Sequence, residues 1–239
     1  MIYVESGTFT MGSPTSETVR FWDETQHQVQ LTKDFYLGKY EVTQAQYEAV
    51  MTGNTDGLSA TPSNWPNNPN RPVEQVSWDD VQIFLSRLNA QQSANIPSGW
   101  AYVLPTESQW EYACRAGTDT AYSWGDSITA SNANYSSSGL NQTRDVGYYA
   151  ANPWGFFDMH GNVWEWTADI YDGNYPTGNP VVDPTGLASG SDRVFRGGSW
   201  ISVGSTLRSA LRRYSSPSSR YGSLGFRVAL TQIESVPAT

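Results

Sequence analysis

A single cysteine, Cys114, stands in a chain of 239 residues. That excludes an internal disulfide and any metal site built on cysteine alone. Histidine is nearly as scarce, with only His27 and His160, and one isolated imidazole makes a poor transition-metal site. Charged residues are 15% of the sequence, and Asp plus Glu outnumber Lys plus Arg by 23 to 14 for a net charge of −9. Nucleic acid needs the opposite balance, so no nucleic-acid partner is expected. No apolar run is long enough to cross a bilayer. Met1–Glu5 lacks the basic and apolar regions of a secretory leader, so the expected location, unless an N-terminal extension has been trimmed, is cytoplasmic or virion-associated. Acidic residues are themselves absent between Asp192 and Glu234, a stretch that holds Arg193, Arg196, Arg208, Arg212, Arg213, Arg220 and Arg227. Such a stretch either attracts an anionic ligand or pairs its arginines with the acidic remainder of the domain, and the second reading is preferred.

Aromatics and turn formers are plentiful: ten Trp, fourteen Tyr, twenty-one Gly and thirteen Pro. They point to a loop-rich α+β fold without long helices, in which one domain is long enough to bury a sizeable core. Strands are expected on either side of a Gly7 turn, at His27–Leu31 and over Phe35–Val42, where apolar and polar residues alternate. Three short helices are expected behind Thr43, Ser77 and Thr106, the latter two each with an acceptor side chain three residues on, the pattern of a capping box. Cys114 falls on the third of these as a small core residue. Glu107 and Glu111, one turn apart there, suit helix-cap and surface roles better than paired acid–base chemistry. Residues Gly117 to Tyr149 read as irregular. A histidine among strand residues, as His27 is, reads as structural, and His160 is expected to be exposed on a turn.

Two segments concentrate chemistry. Asp158 to Trp166 gathers two carboxylates and a glycine turn, which can either wrap Ca²⁺ with oxygen ligands or form a tight turn over a buried Glu165. Arg196 to Arg227 divides into a frame of glycines, aromatics and spaced arginines, and gaps filled by residues that share only their fitness for a surface. The gap positions Ile201, Ser202, Val203, Ser205, Leu211, Arg213, Tyr214, Ser215, Ser219, Tyr221 and Ser223 are expected to be the ligand-binding face, with Arg213, Tyr214 and Tyr221 as anchors.

Eight motifs in order, from Gly7–Gly12 through Tyr40–Thr43, Pro72–Trp78, Leu104–Glu107, Trp110–Ala113, Gly161–Trp166 and Arg196–Trp200 to Gly225–Arg227, resemble the formylglycine-generating enzyme, or sulfatase-modifying factor, family. The resemblance implies one domain over residues 1–233 with a C-type lectin-like fold, and a tail at 234–239. It implies calcium held by Asp158 and Glu165 and by the carbonyls of Gly161 and Val163. A second calcium site of the family, beginning near Asn134 and Tyr135, lacks its following motif here. The family's copper-binding cysteine pair lands on Ser202 and Leu207, so no copper and no copper oxidase activity are expected. Residues 196–227 also resemble the variable region of proteins diversified by a retroelement. None of the gap positions carries Lys, Glu, Gln, Met or Trp, the residues that an NNC codon cannot encode. The function so implied is non-catalytic ligand binding by a diversified surface; the alternative is a cysteine-independent enzyme of the same family. The partner is expected to be a protein or other macromolecule meeting the 201–223 surface, and the chain to be a monomer.

Overall fold

The computed structural model describes residues 1–175 and 178–233. The sequence-expected tail, 234–239, lies outside the described residues. Eleven short strands and three helices are described, arranged in three small sheets. Strands β1 (Ile2–Val4), β4 (Phe35–Leu37), β11 (Ala229–Gln232) and β5 (Trp100–Val103) form one antiparallel sheet that joins the chain's two ends. Strands β2 (Gly7–Met11), β3 (His27–Leu31) and β7 (Val181–Val182) form a second. The third runs in the order β10 (Leu224–Gly225), β6 (Trp164–Ile170), β8 (Arg193–Arg196) and β9 (Arg212–Ser215), with β10 parallel to β6.

All three helices start as the sequence predicts. Thr43, Ser77 and Thr106 each accept a hydrogen bond from the backbone three residues on, and the side chains of Gln46, Asp80 and Gln109 reach back to the cap. The capping boxes open α1 (Gln44–Met51), α2 (Trp78–Gln92) and α3 (Glu107–Arg115). One strand is shorter than expected. β4 ends at Leu37 because Gly38 turns to donate to Val228 O, and the run does not continue to Val42.

The core falls into two large clusters. Tyr47, Phe84 and Phe226 pack with Trp166 beneath α1 and α2, while Trp110, Phe35 and Phe156 pack between α3 and the terminal sheet. Cys114 is in the second cluster, as expected. Burial pushes its thiol up to about 12, so it is not a reactive thiolate.

Candidate binding face and its buried arginine frame

The segment from Arg196 to Arg227 is split by burial along the lines that separate frame from gap. Arg196–Ser199, Leu207–Arg212 and Leu224–Arg227 are buried. Ile201, Val203, Tyr214 and Tyr221 are exposed at 61%, 58%, 49% and 48%, and Ser202, Ser205, Arg213, Ser215, Ser219 and Ser223 are half-buried. Leu211 departs from its expected place. It is fully buried, because Leu211 N donates to Arg208 O in a turn that carries the side chain under the surface rather than onto it. It belongs to the frame.

The arginines explain how an irregular segment is held. Arg212 grips Glu107 through two bonds of 2.8 and 2.6 Å, and Arg227 grips Glu165 through two of 2.6 Å. Arg208 takes both oxygens of Glu24 at 2.7 Å and also pairs with Glu17, and Arg196 pairs with Glu111. Each guanidinium also donates to backbone carbonyls: Arg196 to Ser209 and Ala210, Arg212 to Asp172, Arg227 to Gly38 and Phe157. A planar fork with five donors is suited to that double task. These arginines pair with the acidic remainder, as preferred from the sequence. Glu107 and Glu111 are not surface residues; they are the buried counter-charges.

The gap residues rest on this frame in two groups. Ser215 Oγ meets Ser219 Oγ at 2.9 Å and Tyr221 Oη at 3.2 Å, and those hydroxyls hold the Tyr221 phenol below its usual range. Tyr214 stacks on Tyr171 with centroids 3.8 Å apart, and Arg213 lies over Phe21 at 4.4 Å. At the other end Ser202 Oγ accepts from Ser199 N at 3.0 Å. Trp200 ties the ends together: its indole donates to Gly222 O and its ring meets Trp65 edge-on. Phe21, Trp65 and Tyr171 were not legible as parts of the face, since they lie far away in sequence in loops without a local signal.

Near Glu165 the oxygen donors expected for calcium are divided. Glu165 Oε2 accepts from Arg227 and from the Trp110 indole at 2.6 Å and Oε1 accepts from Arg227 at 2.6 Å, so the carboxylate is already paired with a guanidinium. Asp158 is different. Only its Oδ2 takes a protein donor, Gly147 N at 2.6 Å. Burial, and then the Glu165 charge, raise its carboxyl to about 6; burial with the charges of Asp158 and Glu165 holds Glu41 well above its ordinary range. Three carboxylates facing one guanidinium leave buried negative charge that a hard cation would neutralise, so Asp158 with the Gly161 and Val163 carbonyls fits calcium by chemistry, while Glu165 is already paired with Arg227. Among the described residues no group of three His, Cys, Asp or Glu side chains is placed to hold a metal by itself.

His160 is buried, not exposed on its turn as expected from the sequence. Its Nδ1 lies 2.6 Å from Leu207 O and its Nε2 3.2 Å from Ser123 N, which makes Nδ1 the donor and Nε2 the acceptor of a neutral ring. Burial lowers its pKa to about 4. At the positions of the family's cysteine pair, Ser202 carries a hydroxyl bonded to Ser199, and Leu207 is fully buried against Ala121, Tyr122, Ala133 and Tyr135. That donor set does not fit copper.

A second buried acid gives a pH-dependent expectation. Burial first, and then the Glu107 charge, raise Asp169 from 3.8 to about 7, while its Oδ2 accepts from Glu107 N at 2.7 Å. The unfolded chain ionises this group at lower pH than the folded one. The cost to stability is therefore absent below about pH 4, grows through the window up to 7 and is complete above it. Asp169→Asn keeps the acceptor and removes the charge. It is expected to stabilise the protein by about 1–3 kcal/mol at pH 8 and not at pH 4. Urea melts at the two pH values check this; destabilisation at pH 8 that is absent at pH 4 would show that the charge is favourable in place.

The sulfatase-modifying factor enzyme 1-like domain profile matches residues 1–232. The formylglycine-generating enzyme of Streptomyces coelicolor is 35% identical over 185 residues, covering 70% of this chain and 55% of its own length; the chain thus matches about half of that relative. Among solved structures, PvdO from Pseudomonas aeruginosa superposes with a TM-score of 0.83 at 29% identity over 96% of this chain and 93% of its own. Treponema denticola variable protein 1 superposes with a TM-score of 0.80 at 27% identity over 96% and 94%. The mixed sheets, few helices and long loops are those of the C-type lectin-like fold in its formylglycine-generating-enzyme form, and the chain belongs to the sulfatase-modifying factor enzyme 1-like family.

Proposed function

We propose that this protein is a non-catalytic binder whose Arg196–Arg227 segment displays a diversifiable surface on a rigid scaffold. One observation carries the reading: ten of the eleven gap positions are exposed or half-buried, while the frame residues Arg196–Ser199, Leu207–Ala210, Arg212 and Leu224–Arg227 are buried, with Arg196, Arg208, Arg212 and Arg227 ion-paired. Side chains that the fold does not need are free to vary. The likeness to a Treponema denticola protein named as variable supports it further. The face suits a macromolecular partner, with Tyr214, Tyr221 and Arg213 as rigid or planar anchors among small hydroxyls.

The test is a library with Ile201, Ser202, Val203, Ser205, Arg213, Tyr214, Ser215, Ser219, Tyr221 and Ser223 randomised together. Most members are expected to melt within a few degrees of the parent, since surface changes cost within about 0.5 kcal/mol each. Broad loss of folding would sink the reading. Sequencing the gene across one population is the companion measurement, with substitutions expected at these positions and not at Leu211.

A second reading, a cysteine-independent enzyme of the family, is favoured by the identity to the Streptomyces enzyme. It requires the gap positions to be invariant and a substrate to be turned over.

We also propose structural calcium on Asp158 and the carbonyls of Gly161 and Val163. Chelation is expected to lower the melting temperature by about 5–10 °C, given roughly 2.7 kcal/mol at a hundredfold excess over Kd. Added calcium restores it, and Asp158→Asn, which suits the left-handed φ of 56° there, abolishes the response. A melting temperature indifferent to chelation would leave Asp158 a turn residue.

A further inference from the structure

The terminal sheet has a solvent side that does not follow the usual alternation. Its inner side buries Val4, Phe35, Leu37 and Ala229 in the core. On the outer side a half-exposed sheet ordinarily carries polar residues, but here the pairing register sets Tyr3 opposite Tyr36, Tyr36 opposite Leu230, and Gln232 opposite Trp100. The rings stand in a row. Tyr3 and Tyr36 have centroids 5.4 Å apart and tilted by 60°, and Tyr36 and Trp100 are 6.0 Å apart and tilted by 59°. Tyr3 and Tyr36 are 48% and 37% exposed.

These rings wall an open cleft of about 450 Å³. Its remaining lining is the hydrogen-bonding Ser6, Thr32, Lys33, Asp34 and Gln232, with the apolar Pro97 and Leu230. Asp34 braces the cleft, since its Oδ2 accepts from the Tyr3 hydroxyl at 2.5 Å and its Oδ1 from Ser6 N at 2.7 Å. Those bonds hold the Asp34 carboxyl below its ordinary range, but the geometry stands without that. The ring of Tyr3 is thereby fixed at both ends, by its strand and by its hydroxyl. The cleft does not touch the 201–223 surface: no gap residue lines it.

We infer that this cleft is a second binding site, and that it takes a neutral saccharide of one or two pyranose rings. The ligand must offer flat C–H faces to the tilted aromatic walls and hydroxyls around its rim to Gln232, Ser6 and the spare lone pairs of Asp34. Pyranose rings present both. The volume is that of a small-molecule site with apolar walls and a few polar groups. One carboxylate and one lysine in the lining balance each other, which selects an uncharged sugar over an acidic or basic one. Rigid rings add contact area at small entropic cost.

The experiment titrates the purified full chain with cellobiose, maltose and N,N′-diacetylchitobiose, read by saturation-transfer NMR and calorimetry. At least one is expected to bind with Kd of roughly 1 mM, and Tyr36→Ala and Tyr3→Ala are each expected to weaken it about tenfold. Both rings are exposed, so the variants are expected to keep the parental melting temperature. Tyr221→Ala, on the separate face, is expected to leave sugar binding unchanged. Absence of binding by all three sugars overturns the inference, as does binding that survives in both tyrosine variants. A dimer in sedimentation that Tyr36→Ala dissociates also overturns it, because the rings would then be covered by a second copy of the chain.

Discussion

Glu111→Gln is expected to destabilise this protein by about 3–5 kcal/mol, the usual consequence of removing one partner from a buried ion pair. Glu111 is fully buried, and its Oε1 accepts from Gly12 N at 2.9 Å and from Arg115 Nε at 2.8 Å. Its Oε2 pairs with Arg196. Burial pushes the Glu111 carboxyl up, and the charges of Arg115 and Arg196 outweigh it, so the group lies below its ordinary range and is ionised. With the charge gone, Arg115, at 4% side-chain exposure, loses the carboxylate it pairs with, and Arg196, at 0%, keeps only Glu107 at 3.4 Å, which Arg212 already grips. The loss also spreads to the face. Arg196 carries the carbonyls of Ser209 and Ala210, which anchor the frame between the two groups of gap residues. Denaturant unfolding measures the change. As a contrast, Arg220→Ala breaks a pair whose arginine is 46% exposed, and is expected to cost no more than about 1 kcal/mol. If the two variants cost the same, burial is not what makes the frame pairs matter.

Gly161→Ala is expected to cost about 3 kcal/mol or more for a steric reason. Gly161 has φ +100°, where a side chain is strained, and a Cβ there would lie 2.5 Å from Asn134 O and 3.1 Å from Leu207 Cδ2. The carbonyl cannot retreat cheaply, because it accepts from Asn162 N at 2.8 Å. The Leu207 side chain is packed in its own cluster. A fall in melting temperature of about 6–12 °C is expected for a domain of this size. A variant that melts within a degree of the parent would mean that the turn relaxes, and that the close approach of residues 134 and 161 is not what sets the loop.

The starts of α1 to α3 could be read directly, two of them as capping boxes, because a cap is a bond between residues three apart and its geometry is contained in the sequence that encodes it. The division between frame and gap could be read too: arginines, glycines and aromatics alternate with residues of no shared property, and burial follows the same division except at Leu211, which is buried, and Trp200, which is half-buried. Leu211 looked like a surface position because nothing adjacent marks the turn from Arg208 that buries it. His160 was misplaced for the same kind of reason. Its partners, Leu207 and Ser123, come from loops 47 and 37 residues away.

Residue chemistry by itself determined what Ser202 and Leu207 cannot do, since hydroxyl and alkyl groups are not thiolates wherever the chain puts them. It also determined that the arginines of a segment with no acid between Asp192 and Glu234 must find any carboxylate partners elsewhere in the chain. Only the tertiary structure decided which ones. Glu111, Glu107, Glu165 and Glu24 lie 85, 105, 62 and 184 residues from the arginines that they neutralise. At such separations the pairing depends on how the whole chain crosses itself, and not on any spacing within a segment. The same holds for the aromatic cleft of the terminal sheet. Tyr3, Tyr36, Trp100 and Gln232 share one surface because four strands far apart in sequence, β1, β4, β11 and β5, are hydrogen-bonded side by side in that order.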